Sequence, residues 1–156
     1  MKILTKIVAG ALLAALSTTA VIADGTTNQT QEELSHMALQ EFATDYVQLW
    51  RTTDTAERET LVTKLFAENA VHHAAPANVM FDGRDAILAN VTSINEQAIQ
   101  GAGLKFIGGV SVPNGNGILI EWSAEAPNGK TVRTGRDFLI LNDEGKASNL
   151  YMFTSD

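Results

Sequence analysis

The chain has 156 residues, of which 45% are hydrophobic and 19% are charged, and it has no cysteine. This length is typical of one domain with a single hydrophobic core. The lack of cysteine excludes disulfide frameworks, cysteine-ligated zinc, iron–sulfur clusters and cysteine nucleophiles. Eleven basic against 18 acidic side chains argue against a nucleic-acid-binding protein, because such proteins present a basic patch to the phosphate backbone.

Residues 1–23 are predicted to be a secretory signal peptide. Lys2 and Lys6 precede an uncharged apolar stretch, and small residues lead to a cleavage site after Ala23 or Ala20. The alternative is a membrane anchor, but the strongly apolar part is shorter than the roughly 20 residues that a spanning helix needs. We therefore expect a secreted or periplasmic protein that is not attached to a membrane after cleavage.

The rest of the chain is predicted to be a polar, flexible leader over residues 24–30 and one domain over residues 31–156. Thr30 and Glu33 have the spacing of a capping box, which predicts a first helix that ends near Arg51. Apolar residues follow at helical spacing.

Two more helices are predicted from their capping residues. Asp54 and Glu57 open a short helix, and the segment 82–85 opens a third helix that Gly101 and Gly103 stop. The second helix is expected to bury Leu61, Leu65 and Phe66. The third carries its apolar side chains on one face: Ile87, Val91, Ile94 and Ala98.

After Gly103 the apolar period changes from 3.6 to 2, which indicates β-strands. Turn sequences separate the strands, and the pair Gly108-Gly109 predicts a bulge that curves the sheet. The predicted strands are 69–74, 104–112, 118–124, 130–141 and 146–154. Helices followed by an antiparallel meander predict an α+β domain with about three N-terminal helices packed on one face of a curved, mostly antiparallel sheet.

The predicted strand that ends at Leu141 also suggests that a second subunit covers part of the sheet. Apart from Asp137, residues 137–141 are apolar on both faces of this strand, and only one face can meet the helices. A homodimer that packs sheet against sheet is the simplest way to cover the other face.

Several short strings, taken together in this order, resemble the nuclear transport factor 2-like superfamily and its SnoaL-like branch. The matching segments are 46–50, 65–71, 83–87, 135–141 and 142–146. The resemblance covers nearly all of the predicted mature chain. It implies a cone-shaped α+β barrel that encloses an apolar pocket, usually as a dimer, with no cofactor. The superfamily includes ketosteroid isomerases, polyketide cyclases, epoxide hydrolases, dehydratases and many proteins that are not enzymes, so the fold does not decide the function.

The isomerase branch supplies a comparison for individual residues. By resemblance, Tyr46 and Asp137 occupy the positions of the tyrosine and the protonated aspartic acid that stabilise an oxyanion. The position of the general base falls at Ala74 or Ala75, which cannot take a proton. This half-complete site argues against a plain ketosteroid isomerase.

Each of these two residues also has a structural interpretation. Tyr46 lies on the apolar stripe of the first helix, where a core tyrosine with a satisfied hydroxyl is expected as well. Strand alternation places Asp137 among apolar residues, where an unpaired carboxyl has a raised pKa and can donate a hydrogen bond. The alternative for Asp137 is an ion pair with Arg133 on the same face.

The histidines are the remaining candidates for acid–base chemistry. His72 and His73 are adjacent on a strand, so one points toward the helices and the other away, and either could act as a general base. The alternative is one lining and one surface histidine. A metal site is not expected, because these side chains diverge and the third histidine, His36, is on the first helix.

Four further residues are candidates for ligand binding. Trp50 is one helical turn after Tyr46, Met80 and Phe81 precede the third helix near the expected pocket mouth, and Trp122 lies on an apolar strand face. Both tryptophans could instead fill the core. Overall, the sequence predicts an exported homodimer that binds a small, largely apolar molecule, with isomerase, cyclase or dehydratase chemistry on a carbonyl compound. A ligand-binding or dimeric interaction module without catalysis is the alternative.

Overall fold

The structure is a computed structural model that describes residues 23–75 and 78–155, with side chains from Ser35 onward. Its helices are α1 (Ala23–Arg51), α2 (Thr55–Leu65) and α3 (Arg84–Ile94), which continues as a π-helical segment (Asn95–Gly101). Its strands are β1 (Phe66–Ala74), β2 (Val79–Asp82), β3 (Lys105–Asn114), β4 (Gly117–Glu125), β5 (Thr131–Leu141) and β6 (Ala147–Ser155). Apart from Ala23, the predicted signal peptide lies outside the described residues.

The six strands form one sheet in the order β2-β1-β6-β5-β4-β3. β1 and β6 pair in parallel, and every other neighbouring pair is antiparallel. The helices pack on one face of this sheet, so the predicted α+β class is confirmed. β2 was not predicted, because a four-residue strand offers too few positions for a period to be read.

The ends of the helices partly agree with their predicted caps. Oδ1 of Asp54 accepts hydrogen bonds from the backbone N–H groups of Ala56 at 2.8 Å and Glu57 at 3.2 Å, which confirms the cap of α2. The predicted start of the first helix at Thr30 is wrong, because α1 begins at Ala23. Residues 24–30, expected to be a flexible leader, therefore have helical backbone.

Gly108 on β3 allows α1 to lie close to the sheet. The pairing of β3 with β4 shifts register between Gly108 and Ser111, which confirms the predicted bulge. A Cβ atom at Gly108 would collide with the side chain of Val47 on α1. The absence of a side chain at this position therefore lets the helix approach the strand closely.

The core lies between the helices and the inner face of the sheet. Leu49, Leu65, Ile87, Ile120 and Leu139 are all at most 1% exposed. Ile94 was predicted to share the buried face of α3, but it is 44% exposed. Ile94 is the last residue of α3, and its side chain lines a cavity that is open to solvent.

The outer face of the sheet is partly apolar. Its exposed side chains include Met80 at 58% on β2, Phe153 at 57% on β6 and Val112 at 49% on β3. Their alternation with inward-facing neighbours leaves this surface uncovered by the helices. In the described part of the chain, no helix is long and apolar enough to cross a membrane.

Candidate functional site

The two residues expected to act together are in direct contact. Tyr46 on α1 and Asp137 on β5 are both fully buried, and the Tyr46 hydroxyl donates a 2.6 Å hydrogen bond to Oδ2 of Asp137. They are 91 residues apart in sequence. β5 places Asp137 between Ile120 of β4 and Met152 of β6, on the face that meets α1.

Burial dominates the electrostatics of this pair. It raises the pKa of Asp137 from 3.8 to about 6, although the Tyr46 hydroxyl and the nearby indole N–H of Trp122 oppose the shift. Burial and the neighbouring Asp137 carboxyl hold the pKa of Tyr46 well above 10. Among the described residues, Oδ1 of Asp137 and the indole N–H of Trp122 have no partner at good hydrogen-bond geometry. Oδ1 is therefore the oxygen that can carry the proton of the neutral acid.

The alternative of an ion pair between Asp137 and Arg133 does not describe this carboxyl. Asp137 is buried and takes its hydrogen bond from Tyr46, whereas Arg133 is exposed. Gly135 lies between them on the same face of β5, and a Cβ atom there would collide with the indole ring of Trp122. The indole of Trp122, which is on the neighbouring strand β4, therefore lies over Gly135 between Arg133 and Asp137.

The structure places the two histidines on opposite faces of β1. His72 is fully buried on the helix side, where its ring lies 5.4 Å from the ring of Phe81 and 6.4 Å from that of Trp50. His73 stacks on Tyr151 on the other side, with ring centroids 4.7 Å apart. Only His72 therefore shares the side of the sheet on which Tyr46 lies.

His72 is held as the neutral imidazole. Burial, together with the proximity of His73, lowers its pKa from 6.5 to about 4. Within the described part of the chain, neither ring nitrogen has a hydrogen-bond partner. Such a ring can accept or donate a proton if a ligand atom comes within reach.

An apolar cavity of about 520 Å³ opens beside these residues. Its size is within the range of small-molecule sites. Trp50, Phe106 and Trp122 form its buried end, and Val79 and Ile94 lie at its exposed end. Tyr46, Asp137 and His72 are not among the lining residues, so they lie behind the wall that the aromatic rings form.

Three of the four residues predicted to bind a ligand line the cavity, and one does not. Trp50, Trp122 and Phe81 line the cavity. Met80 does not, because it pairs with His73 on the outer side of β2 while Phe81 pairs with His72 on the inner side. The expectation that Met80 forms part of the pocket mouth is therefore corrected.

The position of the missing base is also at the cavity. Ala74 and Ala75, at the end of β1, both line it. Their methyl groups cannot exchange protons, so the cavity surface at this point is chemically inert. Any proton transfer would have to use a different side chain.

Sequence analysis did not identify several lining residues. Val79 and Asn90 line the cavity, as does Arg133, which had been considered only as an ion-pair partner. The signals were weak, because Val79 belongs to the unpredicted strand β2 and Asn90 is a polar residue on a helix. For Arg133, the even spacing from Asp137 was the only available indication.

A buried polar network holds the helical wall of the cavity. Nη2 of Arg58, which is 1% exposed, donates to Oδ1 of Asn95 at 3.0 Å and to the carbonyl of Thr52 at 2.9 Å. The Asn95 amide donates to the carbonyl of Trp50 at 3.0 Å. This network connects α2 to the start of the π-helical segment, whose residues Ala98 and Ile99 line the cavity.

Histidine, aspartate and glutamate side chains do not come together in groups of three that could hold a metal ion anywhere in the described ranges. The polar side chains beside the aromatic end of the cavity are instead one carboxyl, one phenol, one imidazole and two indoles, from Asp137, Tyr46, His72, Trp50 and Trp122. This set can form hydrogen bonds and transfer protons.

Comparison with solved structures gives matches over most of the chain. A candidate isomerase of the SnoaL-like family from Agrobacterium tumefaciens is 25% identical, with a TM-score of 0.68, over 77% of this chain and 99% of that one. A candidate polyketide cyclase from Sinorhizobium meliloti is 20% identical, with a TM-score of 0.56, over 75% and 97% of the two chains. A nuclear transport factor 2-like protein of unknown function from Exiguobacterium is 22% identical, with a TM-score of 0.58, over 74% and 98%.

No family model matches the sequence, and no curated protein matches it. The agreement is therefore one of three-dimensional structure, and it extends over about three quarters of the chain. The chain has the fold of the nuclear transport factor 2-like superfamily, and its resemblance to this superfamily and its SnoaL-like branch is confirmed.

Proposed function

We propose that the protein is an exported homodimer that binds a small, largely apolar organic molecule in its cavity and catalyses proton transfer on a carbonyl group of that molecule. The observation that carries this proposal is an apolar cavity whose buried end backs onto a hydrogen-bonded tyrosine–aspartic acid pair. The likeness to a candidate isomerase at 25% identity supports the same class of chemistry. Isomerisation, cyclisation and dehydration of carbonyl compounds all share this proton-transfer step.

The proposed chemistry divides the roles among three buried residues. Tyr46 holds Oδ2 of Asp137, which leaves Oδ1 to donate a proton or a hydrogen bond to a developing oxyanion. His72 is the candidate base that takes the proton from carbon. His73 is the weaker candidate, because it stacks on Tyr151 on the opposite face. Trp122 covers Asp137, so its indole must move for a ligand to reach the carboxyl.

These roles define a pH window. Asp137 donates only while it is protonated, which holds below its pKa of about 6. His72 accepts a proton only while it is neutral, which holds above its pKa of about 4. We therefore expect any catalysis that uses both groups to have a bell-shaped pH dependence between about pH 4 and pH 6.

Ligand binding without turnover is the second candidate function. It is favoured by the alanines that line the cavity where the superfamily's base would be, and by the complete burial of Tyr46 and Asp137. In this case the aromatic end of the cavity binds the ligand, and the carboxyl supports the wall behind it.

The first experiment measures the binding of equilenin, a phenol that resembles a dienolate intermediate. The mature protein and its Tyr46→Phe variant are titrated while ligand and tryptophan fluorescence are followed. Saturable binding that weakens at least several-fold in Tyr46→Phe is expected if the Tyr46–Asp137 pair contacts the ligand. Equal affinity in both proteins would mean that the cavity binds the ligand without help from Tyr46. No binding would contradict the proposal.

Catalysis is tested without knowledge of the natural substrate. Exchange of the α-hydrogens of 2-tetralone for deuterium is followed by NMR in heavy water at several acidities. The wild-type protein should accelerate exchange most between about pH 4 and pH 6, and Asp137→Asn and His72→Gln should each reduce the acceleration. A rate equal to that of buffer alone would leave ligand binding as the function.

A further inference from the structure

The charges around the cavity are the reverse of those on the whole protein. The chain carries 18 acidic and 11 basic side chains, for a net charge of −7. None of the described residues that line the cavity is acidic, and Arg133 is the one charged residue among them. The lining therefore presents a guanidinium and no carboxylate to a bound molecule, which suits an anionic group better than a cationic one.

Arg133 lies at the open end of the cavity. Val132 beside it and Ile94 across from it are also lining residues, and they are 45% and 44% exposed. The tryptophans at the opposite end are at most 8% exposed. An elongated ligand would therefore place its apolar body among the aromatic rings and its other end near the guanidinium.

The register of β5 sets the spacing between the two ends. Arg133 and Asp137 are four residues apart on the same face, which corresponds to roughly 13 Å along a strand. Gly135 between them leaves room for the indole of Trp122, which forms part of the apolar surface in this interval. The cavity thus has a carboxyl behind its closed end and a cation at its mouth.

Asn90 adds a second polar group to this cavity. It lines the cavity from α3, and its half-buried amide is able to donate two hydrogen bonds. A guanidinium has five N–H donors, so Arg133 can bind a ligand carboxylate in addition to any contact with the protein. Arg133 and Asn90 thus both supply N–H donors to the cavity, which suits a ligand with a carboxylate.

From the reversal of charge and the position of Arg133, we propose that the ligand is an amphipathic carboxylate, with an apolar body in the cavity and its carboxylate bound by Arg133 at the mouth. This inference rests on the proposed function, since it assumes that the cavity binds a small apolar molecule. It adds the chemical class of the ligand and assigns Arg133 as the residue that selects it.

The test compares two probes of the same shape and different charge. Binding of 4-phenylbenzoate and of the neutral 4-phenylbenzamide to the full mature protein is measured by calorimetry at pH 7.5. We expect the carboxylate to bind about tenfold more tightly, as charge-assisted hydrogen bonds to a guanidinium would give. The preference should decrease as salt is added, because the mouth is exposed to solvent.

Two variants identify the responsible cation. Arg133→Gln should remove the preference for the carboxylate, because it should weaken binding of the carboxylate by about tenfold more than binding of the amide. Arg136→Gln is the matched control, because Arg136 is three residues away on the outer face, where it pairs with Glu121 at 2.9 Å. Arg136→Gln should prefer the carboxylate to the amide as strongly as the wild-type protein does. Arg133→Lys should keep most of this preference, because lysine retains the positive charge.

The outcomes separate the failure of this inference from the failure of the proposed function. Equal affinity of the wild-type protein for both probes would overturn the inference and leave an apolar binding cavity. A preference that persists in Arg133→Gln would also overturn it, because another cation would then be responsible. If neither probe binds, both the inference and the proposed ligand binding are contradicted.

Discussion

At the scale of single residues, the two buried titratable groups have opposite effects on stability. Asp137 has a raised pKa, so the free energy of unfolding that it contributes decreases as the pH rises from about 4 to about 6. His72 has a lowered pKa, so its contribution increases as the pH rises from about 4 to 6.5. Each shift corresponds to about 3 kcal/mol, and the two therefore nearly cancel in the wild-type protein.

Substitution should reveal each contribution separately. Asp137→Asn keeps an oxygen that can accept the Tyr46 hydrogen bond, and its stability should rise more steeply with pH between 4 and 6.5 than that of the wild-type protein. His72→Gln should show the reverse, with stability that falls over the same range. Urea unfolding at four or five pH values measures both slopes. Profiles parallel to that of the wild-type protein would contradict the assigned pKa shifts.

For Asp137, the sequence pattern predicted burial of the side chain but not its hydrogen-bond partner. The alternation of β5 placed Asp137 on an apolar face, and this was enough to predict a buried carboxyl. Its partner could not be read from the residues alone, because Tyr46 and Arg133 were both plausible and the choice depends on where α1 crosses the sheet. The family resemblance, rather than a sequence pattern, singled out Tyr46.

At the scale of secondary-structure elements, capping predicted the start of α2 well and the start of α1 poorly. Asp54 is followed by a helix of only 11 residues, so its two hydrogen bonds to backbone N–H groups matter to the whole element. Thr30 and Glu33 have equally good capping chemistry, but the backbone is already helical when it reaches them. A capping box marks a possible start, and the residues before it decide whether it is used.

Removal of the α2 cap should have a measurable cost. Asp54→Ala leaves the N–H groups of Ala56 and Glu57 without their acceptor and should lower the free energy of unfolding by about 1 kcal/mol. Asp143→Ala is the control, since it removes the same charge from an exposed turn. Chemical unfolding of the two variants compares them directly, and equal stability would mean that solvent replaces the cap without loss.

At the scale of the whole molecule, the uncovered outer face of the sheet carries the proposed homodimer. Phe153 is 57% exposed on β6 and lies beside other apolar side chains of that face, including the half-buried Tyr151 and Phe138. Burial of such a surface against a second copy would remove it from water. The family resemblance implies the same arrangement.

A charge on this surface should prevent association. Phe153→Glu is expected to convert a dimer to a monomer in size-exclusion chromatography with light scattering, because it replaces an apolar side chain of this surface with a charge that association would remove from water. Met37→Glu is the matched control, since Met37 is 68% exposed on α1, away from this face. A wild-type protein that elutes as a monomer would contradict the proposed dimer.

The predicted export is tested on the protein made in cells. Mass spectrometry of the exported protein should find a mature chain that begins at Asp24, or at Val21 if cleavage follows Ala20. The physical reason is the positive start and short apolar stretch of residues 1–23, which suit a secretion pathway. An intact chain that still carries Met1 would contradict the signal peptide.

The sequence by itself determined the class of the fold, most of the helices and strands, and the apolar character of the residues around Asp137. These follow from periodicity and capping, which depend on residues close together in the chain. Tertiary structure alone decided that Tyr46 bonds Asp137, that His72 rather than His73 faces the helices, and that Arg133 reaches the cavity mouth. Those relations depend on how α1, β1 and β5 are brought together, and distances across a sheet are not encoded in local patterns.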